Sequence, residues 1–218
     1  MRTINNQKTV KEQYANATNL NTRISIHQKY STNKMGFGNW IFSNYKITKN
    51  MKVLELGCGT GDMWKGHEDL MEACSKIVLS DFSEGILKNA KTNSGDKANV
   101  EYRIIDIQDI PFEAETFDVV IANMMLYHVP DMSRGLSEVR RVLKKGGTFY
   151  CATFGEHGIV EFLSHALNAY GVEDKVNKNF TLQNGKEVLV KHMENGGLPP
   201  LEGVANNEVR ARGRLSPP

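Results

Sequence analysis

The stretch Val53-Leu-Glu-Leu-Gly-Cys-Gly-Thr-Gly-Asp62 sets a carboxylate, Glu55, inside an apolar run and follows it with three glycines at alternate positions, Gly57, Gly59 and Gly61. Glycine is needed where the backbone takes positive φ or lies against a ligand with no room for a side chain. A helix start beyond such a turn offers unpaired N–H groups to a negative group. Glu55 is informative because a buried carboxylate is costly unless hydrogen-bonded or paired with a cation. A bound ammonium group, directly or through water, would supply that partner.

Two further acids fall where an adenosine needs them. Asp81 closes the second apolar run, near the ~20-residue offset at which a carboxylate takes both ribose hydroxyls. Asp106 closes the third, where it can accept an adenine amino group between the apolar walls Phe82 and Ile107. Asn123 closes the fourth and offers its backbone carbonyl to the same ligand. Each acid also has a plainer reading as a helix cap, Asp-Phe-Ser being a sound helix entry. Nicotinamide-binding folds use glycine turns too, but their G-x-G-x-x-G order needs glycine at 62, where Asp62 stands.

Bringing these groups to one edge requires a parallel sheet. From Met51 to Phe154, short β-branched runs alternate with amphipathic stretches, the mark of βαβ units. The pattern predicts strands at Lys52–Leu56, Lys76–Ser80, Val100–Ile105, Phe117–Asn123 and Thr148–Phe154. Trp64, His67, Leu70, Met71 and Cys74 recur at helical spacing, and Ile86, Leu87 and Ala90 follow a Ser83 N-cap. A helix from Met132 to Leu143 turns Leu136, Val139 and Val142 inward and stops at Gly146–Gly147. Arg140, Arg141, Lys144 and Lys145 near its end are explained by the helix dipole. The predicted fold class is α/β: a Rossmann-like, doubly wound, mainly parallel sheet with helices on both faces and an N-terminal helical lid. In such sheets the strand ends converge on one ligand-binding crevice.

Residues 51–154 resemble the core of the class I S-adenosylmethionine-dependent methyltransferases. The likeness lies in VLELGCGTGD, VLSDFS, IIDIQDIPF, FDVVIANMMLYHV and RRVLKKGGTFYCATF, in the family's order and spacing. The subgroup most resembled methylates small molecules. The resemblance implies S-adenosylmethionine as cofactor, with Glu55, Gly57, Gly59 and Gly61 holding the methionine moiety and Cys58 among the turn residues. It implies Asp81 at the ribose, Asp106 at the adenine and Asn123 beside the sulfonium. Tyr14 resembles the aromatic residue that such enzymes close over the cofactor. The family's sheet ends in an antiparallel hairpin of two more strands, and nothing after Met193 reads as paired alternating strands, which predicts an uncovered sheet edge.

The implied reaction is in-line methyl transfer to an oxygen, nitrogen or carbon nucleophile of a small-molecule acceptor. His128, in Met-Leu-Tyr-His-Val-Pro, titrates in the range useful to a general base. Histidine here in the resembling family also serves to hold a loop, and both readings stand. His157, Glu161 and His165 share a helical face as metal ligands can, but no further cluster adjoins them, so a solvated face is favoured and no metal is predicted. Tyr30, Trp40, Met124 and Met125 line an acceptor pocket or pack the core. Three rivals remain: a nucleic-acid or protein methyltransferase, a nicotinamide oxidoreductase, and a binding module without turnover. Against the first, Asn123 is followed by Met-Met-Leu rather than Pro-Pro and an aromatic, and no basic stripe is visible.

Composition sets the outer bounds. With 218 residues, 40% of them hydrophobic, the chain can bury one substantial core with attachments. The predicted division is a helical lid at 1–50, a cofactor-binding core at 51–154, a helical substrate-side segment at 155–195 and an unstructured tail at 196–218. Lys plus Arg number 27 against 25 Asp plus Glu, so no positive field recruits nucleic acid. Three widely spaced cysteines suit free thiols in a reducing compartment. The polar start lacks a secretory apolar stretch and no later run reaches the ~18 apolar residues of a membrane span. The expectation is a cytoplasmic protein, monomer or homodimer, with no membrane partner.

Overall fold

Alternation along the strand Lys52–Leu56 (β1) sends Val53 to one face of a sheet and Leu54 to the other, both fully buried. The computed structural model describes residues 35–156, 168–170 and 177–193, together with Ser25, Lys29 and His165. Within them β1 is joined by Lys76–Asp81 (β2), Val100–Ile104 (β3), Phe117–Asn123 (β4) and Leu143–Ala152 (β5). The order is β3-β2-β1-β4-β5 and every pairing is parallel. The helices are Phe37–Phe42 (α1), Glu68–Ala73 (α2), Glu84–Ser94 (α3), Met132–Val142 (α4) and Gly185–Met193 (α5).

Both faces of a parallel sheet must be covered, and the two periodicities meet here to do it. On one face Leu54, Val78, Val120 and Phe149 pack with Leu136 and Val139 of α4 and Leu189 and Met193 of α5. On the other, Val53, Ile77, Leu79, Val119 and Ile121 pack with Met71 of α2, Leu87 and Ala90 of α3 and Phe42 of α1. The fold is a Rossmann-like doubly wound sheet. The chain runs outward from β1 through β2 to β3, then returns to lay β4 on the other side of β1. The strand order reverses there, which opens a crevice at the C-terminal ends of β1 and β4.

Several boundaries differ from the periodic pattern. The stripe from Trp64 to Cys74 is broken by Gly66 at φ 80°, leaving a single 3₁₀ turn, Asp62–Trp64, ahead of α2. β3 ends at Ile104, so Asp106 sits on the following turn. α4 stops at Val142, ahead of the glycine pair. The pairing jumps from Phe117↔Leu143 to Val119↔Thr148, and Gly147 lies in the jump, where a Cβ would come within 2.9 Å of the Asp118 carbonyl. Three of the four basic residues there are not simply helix-dipole partners. Arg141 bonds Glu138 and the carbonyls of Ile110 and Phe112, Lys144 pairs with Asp118, and Lys145 pairs with Glu115.

The Ser83 hydroxyl caps α3 by accepting from the Ile86 N–H. Within the predicted helical segment at 155–195, a turn after Thr181 leads into α5. Cys58, Cys74 and Cys151 are free thiols. Among the described residues no helix is long and apolar enough to cross a membrane. Tyr14, Tyr30, His157, Glu161 and the tail from 196 lie outside the described residues.

Candidate functional site

The glycine turn leaves β1 in the left-handed region, with φ of 70° at Gly57 and 73° at Gly61. Each of these glycines is also demanded by packing. A Cβ on Gly57 would lie 2.9 Å from the Met125 Cβ, and one on Gly61 would lie 2.6 Å from the Ser94 hydroxyl. The turn is therefore pressed between the loop after β4 and the end of α3. Asn93 of α3 adds a bond from its amide to the Thr60 carbonyl. The Cys58 side chain is buried in the core, so that residue offers the crevice its backbone alone.

Asp81, at the end of β2, braces the same turn. Its Oδ2 accepts from the Gly59 N–H at 3.1 Å and its Oδ1 from the Ser83 N–H at 2.9 Å. The Phe82 N–H is a third backbone donor to this carboxylate, so of its about four acceptor sites one remains. Burial raises the Asp81 pKa, against the lowering effect of the backbone donors.

Glu55 is 2% exposed, and its Oε2 accepts from the Trp64 indole at 2.7 Å. Burial pushes its pKa up to about 7; the indole bond opposes the rise and the neighbouring Asp81 adds to it. The partner that a buried carboxylate demands is thus supplied within the protein, by a neutral donor that leaves the negative charge uncompensated. Trp64 is the residue that the core-stripe reading missed. Its place nine residues after Glu55 carries no local signal, because 3₁₀ geometry rather than a continuing helix turns the ring back.

At the end of β4, the Asn123 amide donates from Nδ2 to the Tyr45 hydroxyl at 2.5 Å, and its buried Oδ1 has no hydrogen-bond partner among the described residues. Tyr45 is a second residue that sequence reasoning missed; it precedes β1 and meets Asn123 only through the fold. Met124 follows with φ 54°, unusual for a side-chain-bearing residue, and this bend lowers Met125 onto Gly57. His128 ends a 3₁₀ turn, Leu126–His128, half-buried with its ring 4.5 Å from that of Tyr127.

The remaining predicted residues spread outward. Phe82 is half-buried beside Asp81. Asp106 is half-buried and accepts from the Gln108 backbone and side chain. Ile107 is 5% exposed and belongs to the core beneath α4. Trp40 lies half-buried in α1. No group of three or more His, Cys, Asp or Glu suited to a metal ion occurs among the described residues.

A profile of methyltransferase domains matches residues 54–151, the span from β1 through β5 that carries this crevice. Over this span the chain has the sequence character of a methyltransferase domain. The ubiquinone/menaquinone biosynthesis C-methyltransferase UbiE of Escherichia coli K12 is 35% identical to this chain over 127 residues, 57% of the chain and 50% of that protein. The chain thus spans about half the length of the curated relatives it matches. A Haloferax volcanii putative methyltransferase, solved in complex with the Trm112 activator, superposes with a TM-score of 0.61 at 21% identity, covering 83% of this chain and 74% of that one. An Aquifex aeolicus S-adenosylmethionine-dependent methyltransferase gives 0.59 at 17% identity, covering 79% and 87%. These two likenesses are of fold.

The residues of the crevice fit S-adenosylmethionine, the cofactor that the resemblance in sequence implies. Asp81 keeps an acceptor site for a ribose hydroxyl, while Glu55 and the Asn123 Oδ1 present acceptors to a cationic amino-acid end. The left-handed turn brings backbone close without side chains.

Proposed function

We propose that the chain transfers a methyl group from S-adenosylmethionine to a small organic acceptor. The observation that carries the reading is the convergence of Glu55, the glycine turn, Asp81 and Asn123 on the C-terminal ends of adjacent strands. The family match of residues 54–151 supports it. Glu55 and Asn123 hold the amino-acid end of the cofactor, Asp81 takes the ribose, and Asp106 with Phe82 borders the adenine, Ile107 packing in the core behind them. Bound cofactor supplies an activated methyl group on a sulfonium, so the protein's work is alignment and exclusion of water.

A dedicated base is optional for such a reaction. Tyr45 is unsuited to the role, because burial and the nearby Glu55 carboxylate raise its phenol well above its ordinary value. His128 is the candidate for acceptors that must lose a proton. Carbon nucleophiles are the first class to screen, since the 35% identical relative is named a C-methyltransferase.

Calorimetric titration with S-adenosylmethionine, S-adenosylhomocysteine and NAD tests the cofactor side, repeated with Asp81→Ala. The expected result is micromolar binding of the first two, lost in the variant, and no binding of NAD. Methyl release from labelled cofactor across a panel of phenols, quinols, amines and activated carbon acids then identifies the acceptor. Binding with no transfer to any of them would count against turnover and favour a binding module.

A further inference from the structure

Tyr45 stands outside the profile-matched segment, yet its hydroxyl reaches the crevice. Its ring leans on Phe42 at 5.5 Å and on Tyr150 at 4.7 Å between centroids. The Tyr150 hydroxyl in turn accepts from the Lys46 N–H at 2.9 Å. The segment before β1 is thus fixed to β5 beside the strand ends. Nothing in this packing requires the Tyr45 hydroxyl, which a phenylalanine ring would lack without altering the stacking.

Among the described residues the hydroxyl bonds Asn123 Nδ2, which holds that end of the amide and leaves the other end over. The end left over is Oδ1, buried and without a hydrogen-bond partner among the described residues, a costly arrangement unless a ligand supplies a donor. Asn123 follows Ile121 by two residues on β4, and Ile121 stands opposite Glu55 across the β1–β4 pairing. Side chains of Glu55 and Asn123 therefore leave the same face of the sheet. Burial and the Glu55 charge keep the Tyr45 phenol protonated. Two acceptors, one of them anionic, define the chemistry of the missing donor: a cationic N–H group.

We propose that Tyr45 is a positioning residue which, by holding Asn123 Nδ2, keeps the Asn123 Oδ1 turned outward to recognise, together with Glu55, the ammonium group at the amino-acid end of the cofactor. The proposal rests on the cofactor reading above. Without the hydroxyl the amide is released to turn, and its NH₂ then faces the ammonium with a donor against a donor.

The test uses two ligands that share a nucleoside and a thioether. S-adenosylhomocysteine carries the amino-acid end and 5′-methylthioadenosine lacks it. Titrating both into the full chain and into Tyr45→Phe, Asn123→Ala and the double variant separates recognition from folding. Tyr45→Phe should weaken S-adenosylhomocysteine about three- to tenfold and leave methylthioadenosine unchanged. The double variant should bind like Asn123→Ala alone, because Tyr45 acts through the amide. Equal losses for both ligands, additive losses in the double variant, or an unchanged Tyr45→Phe would each overturn the proposal while leaving cofactor binding intact. Wild-type protein that binds neither ligand overturns the cofactor reading and the proposal with it.

Discussion

The Trp64 indole donates to the Glu55 carboxylate at 2.7 Å, with both side chains buried. A neutral donor steadies the carboxylate but does not neutralise it, so the protein stores an ionisation cost at the end of β1. The Glu55 pKa in the folded chain is raised to about 7, above its ordinary value of 4.5. A group raised in this way contributes stability that is complete below its unfolded pKa and is lost as pH rises through the folded one. Glu55→Gln keeps an oxygen for the indole and cannot ionise. Denaturant unfolding should show the two proteins alike near pH 4.5, and the variant more stable by about 3 kcal/mol above pH 7.5. Parallel pH profiles would show that Glu55 ionises as if exposed.

With the proposed cofactor in the crevice, the same residue ties its affinity to pH. An ammonium group beside Glu55 favours the ionised carboxylate, so binding expels its proton wherever the free protein still holds it. S-adenosylhomocysteine affinity should increase from about pH 6 to pH 7.5, by up to about tenfold per unit below the Glu55 pKa, and Glu55→Gln should flatten the dependence. Calorimetry in buffers of different ionisation enthalpy counts the released proton directly. A wild-type affinity that does not move over this range would separate Glu55 from the ammonium.

Gly61 combines a left-handed backbone at φ 73° with a Cβ direction that points at the Ser94 hydroxyl, 2.6 Å away. Gly61→Ala should destabilise the fold by about 2–3 kcal/mol, of which the backbone share is about 1–2 kcal/mol. Ser94→Ala added to it should recover the steric share and leave the backbone share. Thermal melts of Gly61→Ala, Ser94→Ala and the double variant check this; a double variant no more stable than Gly61→Ala would mean that the α3 contact is already slack.

Arg141 holds the crossing from β3 to β4 in place. It donates to the Ile110 carbonyl at 2.8 Å and the Phe112 carbonyl at 2.6 Å while pairing with Glu138. That crossing carries Asp106 and Ile107. Arg141→Ala should cost about 1–3 kcal/mol in unfolding free energy, and Arg141→Lys should restore less than half, because an ammonium cannot span two carbonyls and a carboxylate at once. Amide exchange should rise across residues 105–116 in both variants; protection unchanged in the alanine variant would remove Arg141 from this role.

Much of the fold is legible in the residues alone because its signals are local. β1 and β4 stand at Lys52–Leu56 and Phe117–Asn123, where β-branched runs predict them, and the three glycines after β1 announce a left-handed turn by their spacing. Asp81 at the end of β2 is legible for the same reason. Helix ends are less so: Gly66 cuts the stripe after Trp64, and the chain leaves α4 at Val142 because Leu143 already pairs with Phe117. Tertiary competition for hydrogen bonds settles such ends, and periodicity does not register it.

The sequence by itself determined the parallel sheet, the glycine turn, the acids at the strand ends and hence the class of cofactor. Only the tertiary structure decided the neighbours of those groups: Trp64 for Glu55, Gly59 for Asp81, Tyr45 for Asn123, and two loop carbonyls for Arg141. Pattern along the chain reports which way each side chain faces relative to its own strand or helix. Which group it meets depends on strand order and on how segments as far apart as Tyr45 and Asn123 pack across the sheet, and no local repeat carries that information.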